Sequence, residues 1–143
     1  MPTARLRSAL PLLALLGCAL TPAKPVEPPK PPPALHDRTW ELVKIRFGDG
    51  NEVKPDAPER YTVRFDQAGR ATIQADCNRA SGGYTVEGPG LSFSAFATTR
   101  AACPPGSLSD RYLMQLGFVR SWGYLGDHLA LISLVDGSVL EFR

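Results

Sequence analysis

The stretch RYTVRFDQAGRATIQADC, residues 60–77, decides the fold. Tyr61, Val63 and Phe65 alternate with Thr62 and Arg64; Ala71, Ile73, Ala75 and Cys77 alternate with Thr72, Gln74 and Asp76. A period of two turns one set toward a core and the other toward water, the pattern of a half-buried β-strand. Asp66-Gln-Ala-Gly69 sits between the two runs and supplies turn residues, so the stretch predicts a β-hairpin.

Working outward, the same punctuation recurs at Phe47-Gly-Asp-Gly-Asn51, Gly82-Gly83, Gly88-Pro-Gly90, Gly126-Asp127 and Asp136-Gly137. Turn signals at roughly eight- to twelve-residue spacing, with β-branched and aromatic runs between them, point to an all-β sandwich or barrel. Asp136-Gly137 predicts a second hairpin, from His128–Val135 and Ser138–Arg143. One segment has another period. In Ser107–Trp122 the apolar residues Leu108, Tyr112, Leu113, Leu116 and Val119 recur at threes and fours, as on a helical stripe. Ser107 followed by Asp110 resembles a capping box, and Pro104 and Pro105 lie just ahead of it. Gly117 weakens such a helix by about 1 kcal/mol relative to alanine, so close packing is expected there. The expected fold class is α+β, mainly β: an antiparallel sheet curved into a small barrel, with one covering helix over about 107–122. No internal repeat is present.

The chain has 143 residues, enough for one domain with extensions. Its formal charge is +2, but Arg5, Arg7, Lys24 and Lys30 all precede residue 34. From Ala34 onward 12 Lys+Arg face 13 Asp+Glu. That part has neither the basic run nor the motifs of a phosphate-neutralising surface, so nucleic acid is not an expected partner.

The N-terminus reads as an export signal over residues 1–17. Met1–Ser8 carries Arg5 and Arg7 and no acid, and Ala9–Leu16 is apolar apart from one proline. The apolar run is too short to span a bilayer, which takes about 20 residues. It ends in Leu15-Leu16-Gly17-Cys18. That tetrapeptide resembles the bacterial lipobox, which implies cleavage before Cys18, a diacylglycerol thioether on its sulfur and an acyl chain (palmitate) on the new N-terminus. The lipid membrane is then a partner through Cys18; several chains anchor where one binds only marginally. A plain secretory signal is the alternative. Alanine at position 19 implies, by the same resemblance, the outer membrane, with the domain facing the periplasm. Residues 18–34 contain TPAKPVEPPKPPP, where proline removes backbone donors and fixes φ. This is a polyproline II tether with a reach of roughly 50 Å, or, alternatively, a PxxP ligand.

With Cys18 assigned to lipid, Cys77 and Cys103 remain. In an exported protein two remaining cysteines are most simply a disulfide. It would close a loop of about 27 residues and stabilise by roughly 3.5 kcal/mol in the chain-entropy picture. Free thiols and metal ligation are the alternatives. His36 and His128 are the only histidines, and neither sits at a metal-ligand spacing; no metal or cofactor is expected.

The segments around these cysteines carry a family resemblance. Asp76-Cys-Asn-Arg-Ala-Ser-Gly-Gly-Tyr84 resembles the GCNR-x-SG-x-Y motif of the META domain family, the HslJ-like lipoproteins. Thr99-Arg-Ala-Ala-Cys-Pro104 resembles its TRMACP motif. Thr39-Trp-Glu-Leu42 is similar to its first strand, and Leu129–Leu131 with Gly137–Phe142 to its closing hairpin. The resemblance covers residues 35–143. It implies a compact β-rich envelope domain with one helix, associated with stress and drug tolerance, and supplies no reaction. Asp76 stands where the family usually has glycine, Ala80 where an aromatic is common and Ala101 where methionine is.

Beside Cys77 and Cys103, Asn78, Arg79 and Arg100 are candidate binding residues for an anionic or polar partner. Against this stand structural roles: a turn at Asn78, a tight bend at Ser81-Gly82-Gly83, and ion pairs or carbonyl contacts for the arginines. Tyr84 is expected on a strand with its hydroxyl at the rim. Catalytic templates fail: there is no G-x-S-x-G, Asp127-His128 lacks a serine partner, Gly88-Pro-Gly90 has no P-loop lysine, and the acids are scattered singly. The chain is therefore not expected to be an enzyme. The leading expectation is an envelope lipoprotein that binds or supports another envelope protein, with a filled core and an exposed apolar or arginine-lined patch. A barrel carrier of a small apolar ligand would need an interior cavity. A thiol or metal enzyme would need Cys77 and Cys103 reduced.

Overall fold

The structure is a computed structural model that describes residues 34–143. The expected signal peptide, Cys18 and the tether through residue 33 lie outside the described residues. In chain order the strands are β1 (Thr39–Arg46), β2 (Glu52–Val53), β3 (Tyr61–Phe65), β4 (Arg70–Ala75), β5 (Asn78–Glu87), β6 (Gly90–Phe93), β7 (Ala97–Thr98), β8 (Val119–Leu125), β9 (His128–Ser133) and β10 (Val139–Phe142); a helix, α1 (Ser109–Gly117), precedes β8. Eight strands form a closed antiparallel barrel in the order β1-β3-β4-β5-β6-β8-β9-β10, with β10 pairing back onto β1. β2 extends the end of β1, and β7 lies beside β5.

The hairpins follow the turn chemistry. Phe65 pairs with Ala71 across the Asp66–Gly69 turn, and Val139 pairs with Ile132 across the second expected hairpin. Closure requires two strands to change partners. β1 pairs with β3 through Thr39–Glu41 and with β10 from Leu42, across an irregularity between Leu42 and Lys44. β5 pairs with β4 as far as Gly83 and with β6 from Tyr84. The expected bend at Ser81–Gly83 is thus a barrel corner inside one long strand. A Cβ on Gly82 would lie 3.0 Å from the Phe96 ring and 3.2 Å from the Ala95 carbonyl, so glycine lets the following segment close over the corner.

The period-two residues fill the interior. Trp40, Leu42, Val63, Phe65, Ile73, Leu129, Leu131, Leu140 and Phe142 are fully buried, joined by Tyr112 and Leu116 from the helix. Phe65 meets Tyr84 edge-on at 4.9 Å and stacks on Phe93 at 5.9 Å. Each such aliphatic or aromatic side chain contributes about 1.5–3 kcal/mol on burial.

Three local expectations change. The helix spans Ser109–Gly117 rather than about 107–122. Beyond Gly117, Val119, Trp122 and Tyr124 are β-formers and pair with Ser133, Leu131 and Leu129, so the apparent last helical turn is the start of β8. The capping box does not form: the Ser107 hydroxyl accepts from the Ser109 N–H at 3.1 Å, and the N-cap residue is Leu108, with no side-chain cap. Gly117 meets no close neighbour; a Cβ there would touch nothing within 4 Å.

The barrel has two unlike mouths. Leu35–Asp37 enter at the first, where the Asp37 N–H donates to the Phe65 carbonyl and the Trp40 indole donates to the Leu35 carbonyl, each at 3.0 Å. The other mouth holds the β4–β5 turn, the β9–β10 turn and α1. There the Leu108 N–H donates to the Tyr61 hydroxyl and the Gln115 amide to Asp136, both at 3.0 Å. Gly48 packs so closely on the Asp136 carbonyl that a Cβ would overlap it.

Candidate functional site

The β4–β5 turn explains the departure at Asp76. β4 ends at Ala75, Ala75 pairs with Asn78, and Asp76 and Cys77 are the two turn residues. Asp76 has φ 58°, the left-handed region that glycine enters most easily. Aspartate tolerates that region better than most residues, and here its buried carboxylate pairs with Arg60. Cys77 therefore does not share the inward face of Ala71, Ile73 and Ala75; it sits half-buried in the turn.

The structure joins Cys77 to Cys103, with their Cα atoms 5.5 Å apart. The bond staples the β4–β5 turn to the irregular segment leading into α1. Asn78 works beside it. Only 4 % exposed, its amide group donates to the Ala101 carbonyl at 3.1 Å, the Ser109 hydroxyl at 3.2 Å and the Cys103 sulfur at 3.4 Å. Its oxygen accepts from the Ala101 N–H at 2.7 Å and the Thr99 hydroxyl at 3.0 Å. One side chain thus holds residues 99–101, the disulfide and the first residue of α1. It opens β5 rather than sitting in the turn, and although it borders the Arg100 groove, its polar atoms are spent on internal bonds.

The two arginines differ from it. Arg79 lies exposed on β5; its backbone N–H donates to the Thr99 hydroxyl at 2.9 Å and its guanidinium to the Gln74 side-chain oxygen at 3.2 Å. Arg100 is exposed and has no side-chain hydrogen bond or ion pair among the described residues. It lines an open groove of about 440 Å³ with Asn78, Thr98, Ala101, Asp110 and Leu113. The structure therefore brings the three candidates to one corner but gives them separate roles: Asn78 as a clamp, Arg79 and Arg100 as solvent-facing cations. Thr99, Ser109 and the Arg60–Asp76 pair belong to the same corner and were not singled out by sequence. Thr99 heads the second motif, which was the one available signal for it.

Elsewhere, Tyr84 lies on β5 with its ring buried, and its hydroxyl reaches the rim as expected, where it donates to the Asp66 carbonyl of the β3–β4 turn at 2.5 Å. The Gln115 amide and the Ser138 N–H hold the Asp136 carboxyl at a pKa of about 2, below its usual 3.8, with partial burial opposing them. His128 lies 2.6 Å from Glu141 on the outer face of β9 and β10. No group of three His, Cys, Asp or Glu side chains suited to a metal occurs among the described residues. None of their helices is long and apolar enough to cross a membrane.

Fold and site together define a small closed β-barrel whose helix-covered mouth is locked by a disulfide and a buried asparagine. The META domain family matches residues 33–143, and the chain belongs to that family. A protein from Burkholderia xenovorans solved by NMR is similar in structure, with TM-score 0.64 and 24 % identity over 86 % of this chain and 97 % of that one. A duf4847 family protein from Bacteroides vulgatus has TM-score 0.54 and 14 % identity over 73 % and 90 % of the two chains. These likenesses concern the fold. None of the curated proteins matches the chain.

Proposed function

We propose that this chain is a bacterial envelope lipoprotein, anchored through Cys18 in the outer membrane and facing the periplasm. Its META domain binds or supports another envelope component from its outer surface and catalyses no reaction. The role fits envelope stress or drug tolerance. The observation that carries this reading is the filled barrel. An eight-stranded barrel either packs its interior with side chains or holds one small ligand there. Here Trp40, Phe65, Leu131, Leu140 and Phe142 occupy the interior with no solvent exposure. That disfavours the carrier reading and turns attention to the surface. The surface offers both features expected of a binding domain: arginines without acid partners, and an apolar tip where Leu134 and Val135 stand 69 % and 66 % exposed. The Leu15–Cys18 tetrapeptide supports the anchor, and the tether supports stand-off from the bilayer.

The test is the intact mass of the full-length protein from the membrane fraction of a bacterial host, with and without thiol alkylation. The expected result is the mass of residues 18–143 plus lipid, no alkylation before reduction and two sites after it. A mass without lipid overturns the anchor. Alkylation before reduction overturns the non-enzymatic reading in favour of a thiol or metal enzyme.

A further inference from the structure

The outer face of β3, β4 and β5 has a charge arrangement that the fold does not use. Pairing places Arg64 opposite Thr72 and Thr72 opposite Ser81, while Arg79 lies opposite Gln74. Arg70 is two residues from Thr72 on β4, diagonal to Arg64. Three exposed arginines thus lie on one outer face of the barrel wall, Arg64 and Arg70 at a diagonal spacing of about 7–8 Å and Arg79 farther off. None has an acidic partner. Arg70 donates to the Ser81 hydroxyl at 3.3 Å and Arg79 to the neutral Gln74. Arg64 has no side-chain partner among the described residues. Of the acids bordering the face, Asp76 pairs with Arg60 and Glu41 with Arg143, while Asp66 accepts the Ala68 and Arg70 N–H groups of its own turn and forms no ion pair with the three arginines. In a domain with more acids than bases, this face is left cationic.

We propose that this face docks a carboxylate-bearing polysaccharide. Guanidinium groups are planar forks that match carboxylates in pairs of parallel hydrogen bonds. Thr72 and Ser81, set between them, carry hydroxyls that both donate and accept, as sugar hydroxyls require; Gln74 is committed to the Asp76 and Asn78 carbonyls and to Arg79. Tetrahedral phosphate is favoured by converging backbone N–H groups at a helix N-terminus or nest. Here the strand N–H groups are committed to the barrel ladders, so a phosphate would meet the same guanidinium forks, which take either anion; the phosphorylated polymer in the experiment below decides between them. An extended acidic peptide gains most at an open sheet edge, and β3 and β4 have paired neighbours on both sides. The choice of a glycan rests on the envelope location proposed above; the charged face itself does not.

The experiment is equilibrium binding of the full-length protein in neutral detergent to polygalacturonate, with dextran, a phosphorylated dextran and polyglutamate as comparison polymers. The wild type is expected to bind polygalacturonate at least tenfold more tightly than any of these, with affinity falling steeply as salt rises. Arg64→Gln/Arg70→Gln/Arg79→Gln is expected to lose at least tenfold while keeping the wild-type melting temperature. The triple lysine variant, with its charge kept and forks removed, is expected to fall between the two. No binding by a folded wild type, or unchanged binding by the glutamine variant, overturns the proposal. Equal or tighter binding of polyglutamate or phosphorylated dextran overturns the polysaccharide carboxylate in favour of an acidic protein or a phosphate. Because binding is measured in detergent and the anchor by mass, failure of one reading leaves the other separately decided.

Discussion

The β3–β4 hairpin and the segment Ser94–Ser109 lie within the same small barrel but are held by different physics. The hairpin is a ladder: Tyr61 to Phe65 pair residue for residue with Ala75 to Ala71, and every second side chain is buried. Stability there is spread over many equal contacts. The segment has only the two-residue β7, and a few specific ties hold it: Asn78, the Cys77–Cys103 bond, the Tyr61 hydroxyl on Leu108, and Ser94, which accepts the Gly83 N–H at 2.8 Å. A distributed ladder tolerates exposed substitutions and fails through its core. A stapled segment fails through single residues.

The largest effect should come from the core beneath the ladder, where Trp40 of β1 pairs with Val63 of β3. Trp40→Ala removes a fully buried indole and its bond to Leu35, and should cost about 3–5 kcal/mol in urea denaturation. A cost below about 1 kcal/mol would mean that the interior is not packed as described. Next, replacing Cys77 and Cys103 together with serine should cost about 3.5 kcal/mol. Hydrogen exchange should then speed up over residues 99–111 more than over β3 and β4; uniform acceleration would erase the distinction between the two regions.

A smaller effect concerns Asp136, which ties the β9–β10 turn to α1. Its folded carboxyl lies at about 2 against 3.8 ordinarily, so its stabilisation is full above about pH 4 and is lost as pH falls through about 2. Discounted for exposure, this is on the order of 1 kcal/mol. Asp136→Asn should flatten that acid limb in pH-dependent melting, and an unchanged limb would contradict the assignment. Smallest is Gly117→Ala, which should stabilise by about 0.5–1 kcal/mol because the helix has open space there. A loss of stability measured by thermal melting would point to a contact the structure lacks.

The same division decides what sequence could reveal. Alternation along Arg60–Ala75 exposes the hairpin because burial in a ladder has a period. The second hairpin, the barrel and the existence of one helix were legible for the same reason. The C-terminal limit of α1 was not, because Val119 continues the helical spacing while its backbone pairs with Ser133. At the corner, the cysteine pair was legible from number and context. The role of Asn78 was not: its partners Thr99, Ala101 and Ser109 are 21 to 31 residues away and converge only once the barrel closes. Asp76 was visible as a departure, but its left-handed backbone and Arg60 partner belong to the folded turn.

Asn78 and Arg79 are adjacent in the motif, yet the asparagine locks the fold while the arginine faces solvent. Equilibrium denaturation of Asn78→Ala and Arg79→Ala, side by side with the disulfide intact, tests it most directly. Asn78→Ala is expected to cost about 2–3 kcal/mol, since the buried Ser109 hydroxyl and the part-buried Ala101 backbone groups lose their partner. Arg79→Ala, exposed and bonded only to Gln74, should change stability by less than about 0.5 kcal/mol. An Asn78→Ala variant as stable as the wild type, or an Arg79→Ala variant that loses as much, would contradict it.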